Sequence, residues 1–204
     1  MVEYVSFHGT ESSVAEKKIR YDAENLEFTS LTRERQKRYS NRGGSFQGSR
    51  KSKPKSPGSL GYGFYTFIRP ENMAEQFISR ICESYKIIEV KTVIKENEVL
   101  DFEDEDTRFK FHEFRQSFKK HIDAIYRDLD RPRNTAKQHS VDGIIIESFI
   151  NSLFKNENKL VNAVLMWTYT PLDGDESLHS YVPNSLELCI RNKRNICSLK
   201  ERKE

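Results

Sequence analysis

Polar and apolar residues alternate through Tyr4-Val5-Ser6-Phe7-His8, a period of two that predicts a short strand, with Gly9 as the turn expected to end it. Ser13-Val14-Ala15-Glu16 then has the spacing of a capping box, in which a hydroxyl and a carboxylate satisfy free amides at a helix start. A second strand is expected over Tyr62 to Ile68. Pro70 closes it and suits the first turn of a helix, where its missing N–H would go unpaired anyway. On that helix Met73, Phe77 and Ile81, together with Ala74, Ile78 and Cys82, form two adjacent i, i+4 rows. The run Ile87 to Ile94 is rich in β-formers.

Further along, Phe111, Phe114, Phe118, Ile122, Ile125 and Leu129 recur at three- and four-residue spacing, which predicts a long amphipathic helix whose stripe is most simply core. Arg131-Pro132-Arg133-Asn134 ends that pattern. Val141-Asp142-Gly143-Ile144-Ile145-Ile146 reads as strand, as do Leu160 to Tyr169 and Leu186 to Arg191, the last two separated by a loop holding Pro171, Asp173, Gly174 and Pro183. Strands and helices mix without regular βαβ repetition, so the expected class is α+β rather than a parallel doubly wound sheet.

Composition narrows the field. With 204 residues, 36% hydrophobic and 32% charged, the chain has the size of a single domain with a charged exterior. No apolar run approaches the ~20 residues that span a bilayer. The start, Met1-Val2-Glu3-Tyr4, lacks a basic segment leading into an apolar one, so a cytoplasmic protein without a membrane partner is expected. Cys82, Cys189 and Cys197 are widely spaced and form no CxxC pair, which suggests neither a disulfide framework nor zinc. The acidic run lacks calcium-loop spacing and the histidines are scattered, so no metal is expected.

The net charge of +3 says little, but its distribution says more. Arg33, Arg35, Lys37, Arg38, Arg42, Arg50, Lys51, Lys53 and Lys55 face one acid, Glu34, amid Ser, Gly, Asn and Pro. Such sequence cannot bury enough apolar surface to offset its ordering entropy, so a basic flexible insertion is expected at about 31–58. The opposite charge gathers at Glu96, Glu98, Asp101, Glu103, Asp104, Glu105 and Asp106.

Three motifs occur in order: Phe7-His8-Gly9-Thr10 on a strand, Leu60-Gly61-Tyr62-Gly63-Phe64-Tyr65-Thr66-Phe67 before a helix, and Asn184-Ser185-Leu186-Glu187-Leu188-Cys189 on a late strand. Together they resemble the His-Tyr-Glu branch of the ADP-ribosyltransferases, which includes the poly(ADP-ribose) polymerases and diphtheria toxin. Val141-Asp142-Gly143-Ile144 is similar to a strand of bacterial members. The resemblance covers most of the chain outside the basic insertion. It implies a single domain with a split mixed or antiparallel sheet, NAD as co-substrate, and a bacterial or phage-defence toxin with an antitoxin as possible partner.

By that resemblance His8 orients a ribose, while Gly9 and Thr10 approach the nicotinamide carboxamide through a backbone that glycine leaves open. Tyr65 lays its ring on the cationic nicotinamide, and Phe77 is a candidate opposite wall or equally a core aromatic. Where the polymerases carry a second Tyr, this chain has Gln76 and Phe77. Glu187 stabilises the oxocarbenium-like ribose, His8 and Tyr65 completing the catalytic set. Its bland alternative is the solvent-facing residue of an alternating strand, between Leu186 and Leu188.

Arginine-directed members place Glu or Gln two residues before the catalytic Glu, and Ser185 stands there instead. Trp167, Tyr169, His179 and Tyr181, in or near the loop that contacts the acceptor in the family, are candidates for stacking on a base. The basic insertion adds a phosphate-binding arm for nucleic acid, or contacts to the NAD pyrophosphate. The resulting expectation is a mono-ADP-ribosyltransferase acting on nucleic acid, RNA ahead of DNA. Transfer to protein, NAD glycohydrolysis and an inactive nucleic-acid-binding module stay open.

Overall fold

The computed structural model describes residues 1–34, 36, 55–128, 136–170, 172 and 182–202. The described strands are β1 (Val2–Glu11), β2 (Phe64–Arg69), β3 (Tyr85–Ile94), β4 (Val99–Asp101), β5 (Ala163–Thr168), β6 (Ser185–Ile190) and β7 (Ile196–Glu201). They form one sheet in the order β4-β5-β6-β2-β1-β3-β7, antiparallel throughout except for the β4–β5 pair. The class is therefore α+β, with a mixed sheet. β4 and β7 were not expected from the sequence, being short or interrupted by polar residues.

Gly9 does not end β1. It sits inside the strand, paired with Ile87 of β3, because β1 and β3 ladder without a break from Val2↔Ile94 to Glu11↔Tyr85. Towards β2 the picture differs: β1 and β2 pair only at Phe7↔Phe67, so the sheet is continuous but narrows to a seam there. A glycine is required because α2 (Met73–Ile78) packs on this stretch, and a Cβ on Gly9 would stand 2.8 Å from Ile78 Cβ and closer still to the Ala74 carbonyl.

The capping box does not form. The short helix α1 (Ser12–Val14) is capped by Glu11, whose carboxylate accepts from the Ser13 hydroxyl, and the chain then takes a wider π-type turn over Ala15–Ile19. That turn brings Ala15 and Ile19 into the core. Pro70 likewise precedes its helix instead of opening it: its carbonyl accepts from Met73 N–H at 3.0 Å. α2 stops at Ile78, which leaves Ile81 exposed and Cys82 outside the helix, while Met73, Ala74 and Ile78 are buried as the i, i+4 rows require.

The largest departure is at Val141 to Ile146, which belongs to α4 (Ala136–Glu157) and not to a strand. The β-branched run misleads because it looks like a buried strand. The helical period lies one turn further on, in Ile146, Phe149, Ile150 and Leu153, all buried. Every residue from 143 to 150 is buried, so this segment is packed on all sides. Asn158, at φ 52°, ends the helix in the left-handed conformation expected there.

α3 (Glu105–Asp128) is the long helix expected from the phenylalanine stripe. Asp104 accepts from the Thr107 backbone N–H at 2.9 Å and Thr107 hydroxyl at 2.8 Å, and the acids Glu105 and Asp106 in the first turn favour the positive end of the helix dipole. Phe111 and Phe114 pack on Phe149 of α4, with ring centroids 5.4 and 5.2 Å apart. Phe118 is partly exposed, and the side chains of Ile122, Ile125 and Leu129 lie outside what is described.

Two cores result, one on each face of the sheet. On one, α3 and α4 bury Leu100, Phe102, Val164 and Cys189. On the other, the turn after β1 covers Ile88, Val90, Ile94, Leu165, Leu188 and Ile190. Burying side chains of this size contributes about 1.5–3 kcal/mol each. Most of the expected insertion lies outside the described residues, but its ends are fixed. Residues 31–34 form a helical turn with Leu31 packed on Tyr62 and Ile144, and the buried Glu34 accepts from Thr29 and, at 2.9 Å, from the Lys55 N–H.

Candidate functional site

Glu187 on β6 pairs with Phe67 of β2 and Met166 of β5, and Tyr65 pairs with Cys189. Paired residues point to one face, so Tyr65, Phe67, Met166 and Glu187 share the α3/α4 side of the sheet. Glu187 is 8% exposed, which rules out the solvent-facing alternative; Leu188 is fully buried and Leu186 half-buried. A carboxylate so placed is costly unless its oxygens are satisfied.

Hydroxyls do this. Thr170 donates to Glu187 Oε1 at 3.2 Å and Ser59 to Oε2 at 3.5 Å. Because an ionised carboxylate only accepts, Thr170 must turn its proton to Glu187 and receive one from Ser185, 2.8 Å away; Ser185 in turn receives from Thr168 at 3.2 Å. Asn184 fixes Thr170 by two 2.8 Å bonds to its backbone N–H and carbonyl. The Asn184-Ser185 pair of the motif thus aligns a threonine on the glutamate. Burial pushes the Glu187 pKa above the ordinary carboxylate range, while the hydroxyls pull it back.

Ser59 reaches Glu187 from the turn 58–63, which is held from several directions. Gly61, at φ +92°, needs the freedom of glycine, and Gly58 lies so close to Gly143 of α4 that a Cβ there would stand 3.0 Å from the Gly58 carbonyl carbon. Glu147 accepts from the Tyr62 N–H at 2.8 Å and pairs bidentately with Arg191, Nη2 to Oε2 at 3.1 Å; Arg191 also donates to the Tyr62 carbonyl at 3.0 Å. Nothing in the sequence flags this pair, because its residues lie 44 positions apart.

Tyr65 belongs to the same arrangement. Its hydroxyl accepts from the Leu60 N–H at 2.8 Å and donates to the Gly61 carbonyl at 2.7 Å, so the ring braces the turn from below. Burial, chiefly, raises its pKa and keeps it a neutral phenol. Cys189 beside it is also buried, its thiol pushed up to about 12.

His8 stands on the neighbouring strand, but by register on the opposite face. Its ring packs on Phe64, centroids 4.4 Å apart, and its Nδ1 lies 2.8 Å from the Tyr65 carbonyl, across the seam where β1 and β2 cease to pair. A carbonyl only accepts, so Nδ1 carries the proton and Nε2 is the free acceptor. Burial lowers the His8 pKa, against the carbonyl bond that raises it, so the ring is neutral at pH 7. Thr10 is buried, and Gly9 is covered by α2.

Phe77 is 37% exposed, with its ring 6.0 Å from Phe67, itself next to Glu187. Phe67 is a wall residue that the motif reading passed over. Trp167 pairs with Leu186, half-exposed at the end of β5; Tyr169 is half-buried, and His179 and Tyr181 lie outside the described residues. At the root of the insertion is a cavity of about 590 Å³ lined by Leu26, Phe28, Arg33, Lys55, Arg191 and Lys193 among others. Lys193 is paired with Glu24 at 2.6 Å and Arg191 with Glu147. Among the described residues no group of His, Cys, Asp or Glu is arranged to hold a metal, and no helix is long and apolar enough to cross a membrane.

The site thus defines an α+β protein with a buried, hydroxyl-aligned glutamate in the centre of its sheet. Comparison with protein-family models, curated proteins and solved structures finds no match for the chain.

Proposed function

We propose that the protein is an NAD-dependent mono-ADP-ribosyltransferase of the His-Tyr-Glu kind, transferring ADP-ribose to nucleic acid, RNA ahead of DNA. The observation that carries this reading is Glu187: a buried carboxylate, bonded by hydroxyls and by no cation among the described residues, in the central strand beside that of Tyr65. Such a group has charge to offer a developing cation. The strand order β6-β2-β1 puts the strands of the three motifs next to one another, which supports a shared site.

In the reaction the bond between ribose C1′ and the nicotinamide nitrogen breaks and its electron pair leaves with neutral nicotinamide. Glu187 faces the positive charge left on C1′ and accepts from the 2′-hydroxyl, a nucleic-acid nitrogen or oxygen donates its lone pair to C1′, and its proton passes to water. Phe67 and Phe77 offer aromatic walls for the nicotinamide. Tyr65 shapes the turn that presents Ser59. His8 acts as a positioning residue, its Nδ1–H bond to the Tyr65 carbonyl holding β2 where β1 and β2 cease to pair. Arg33 and Lys55, which line the cavity at the root of the insertion together with Glu27 and Glu34, are the cations offered to the pyrophosphate.

The test is incubation with adenylate-labelled NAD and separated cellular RNA, DNA and protein. Label is expected in RNA, absent with Glu187→Gln, and expression of the wild type is expected to arrest cells as a toxin would. Label in protein moves the acceptor, nicotinamide release without label makes the enzyme a glycohydrolase, and intact NAD overturns the enzymatic reading.

A further inference from the structure

β4 ends at Asp101, whereas its parallel partner β5 runs on to Thr168. Beyond that point no strand among the described residues pairs with this edge of β5. The Phe102 N–H still reaches the Leu165 carbonyl at 2.9 Å, and then the Glu103 side chain takes over, its Oε1 accepting the Trp167 N–H at 3.3 Å. The gap left is a groove of about 570 Å³ lined by Phe102, Glu103, Arg108, Met166, Trp167 and Pro183.

This groove adjoins the proposed reaction centre. Met166, in its wall, is the cross-strand partner of Glu187, and paired Cα atoms are about 5 Å apart. Its composition is specific. Met166, Phe102 and Pro183 give flat apolar contact, and Trp167, 36% exposed, adds an indole at the rim. Arg108 in the first turns of α3 supplies one cation, and Glu103 one carboxylate with its second oxygen to spare.

We infer that this groove at the sheet edge, where Met166 faces the Glu187 side and Trp167 the other, takes one unstacked guanine nucleotide of a single strand, its base on Trp167, its Watson–Crick edge on Glu103 and its phosphate on Arg108. Guanine fits because its N1–H and amino group are adjacent donors, one for the spare Glu103 oxygen and one for the second lone pair of the oxygen that holds the Trp167 N–H; uracil and thymine present a carbonyl beside their single N–H. The indole supplies the sequence-tolerant stacking and Glu103 the selection. Asp104, Glu105 and Asp106 lie close along the chain to Arg108 and weaken the local positive potential, so only one phosphate is engaged. The inference rests on the groove's own lining and stands or falls apart from the transferase reading.

Trp167 is the only tryptophan in the chain, so intrinsic fluorescence reports on this groove alone. The full chain is titrated with GMP, AMP, CMP and UMP, and then with RNA and DNA tetranucleotides holding one G, without NAD. Saturable quenching is expected, with GMP at least about five-fold tighter than UMP, the size of one net hydrogen bond to Glu103. Glu103→Leu is expected to erase that preference. Arg108→Ala, an exposed change that leaves the fold intact, is expected to remove a salt dependence whose slope is about −0.7, the value for one phosphate on a single strand. Absent quenching, or equal quenching by all four nucleotides, overturns the inference whether or not NAD is cleaved. Guanine-selective quenching in a protein that leaves NAD intact upholds the groove and overturns the transferase. The RNA and DNA tetranucleotides show which sugar the site prefers.

Discussion

Replacing Glu147 by Ala tests whether the turn 58–63 is held by the buried ion pair. The glutamate side chain is 2% exposed and that of Arg191 12%, so the substitution leaves a guanidinium buried without its partner. Breaking a pair of this kind costs about 3–5 kcal/mol. The Tyr62 N–H also loses its acceptor, a further ~1–3 kcal/mol taken alone. The two losses share one network and do not add, so about 3–5 kcal/mol in total is expected. With a urea slope of about 2 kcal/mol/M, a loss near 4 kcal/mol moves the unfolding midpoint down by about 2 M. The companion double variant, Glu147→Ala with Arg191→Met, removes the stranded charge and is expected to be more stable than Glu147→Ala alone. A single variant that loses under ~1 kcal/mol, or a double variant as unstable as the sum of its parts, would refute the clamp.

Three further outcomes follow from the same geometry. Glu187→Gln is expected to lower NAD cleavage by about 10²–10³-fold, the usual loss when a preorganised electrostatic partner of the transition state is removed. It should also reveal the carboxylate in stability: the fold raises the Glu187 pKa above its ordinary 4.5, so the folded chain binds the proton more tightly than the unfolded one, and wild-type stability falls as pH rises through that window. Glu187→Gln is then the more stable protein at neutral pH in urea titrations, with the advantage shrinking as pH falls from the raised native value towards 4.5; an advantage that persists unchanged at pH 3 contradicts the assignment. Ser59→Ala removes a donor to the anion, so the acid limb of the rate–pH profile moves to higher pH, whereas an unmoved limb excludes contact between the two. Gly143→Ala drives a methyl into the Gly58 carbonyl, costing about 1–3 kcal/mol and lowering the melting temperature by about 2–12 °C, against a gain if helix propensity alone mattered.

Much of this was legible locally. The alternation at Tyr4 to His8 and the β-rich run from Ile87 to Ile94 marked β1 and β3, and the phenylalanine spacing marked α3, because each pattern reports burial of its own element. The α+β class came from the irregular order of those elements. Glu187 could be singled out as a residue, but its alternation with Leu186 and Leu188 could not distinguish catalyst from surface. Burial on both faces of a central strand settled its environment, and that depends on β2 and β5, which are remote in sequence.

What sequence could not supply was every contact made across distance. Val141 to Ile146 has strand composition, yet it is helical because Gly143 must meet Gly58, Glu147 must reach Arg191 and Tyr62, and Ile146 through Leu153 must face the sheet, a set only a 3.6-residue period satisfies. Gly9 reads as a turn, but tertiary packing makes it the place where α2 comes closest to β1. His8 and Tyr65 were linked by motif as though they faced one ligand, whereas the pleat puts their side chains on opposite faces, joined by the Nδ1 bond to a carbonyl. The sequence by itself determined which residues are candidates for the chemistry, because residue type and local period are properties of short segments. Only the tertiary structure decided what each of them faces, because strand register and helix docking are set by contacts between segments far apart in the chain.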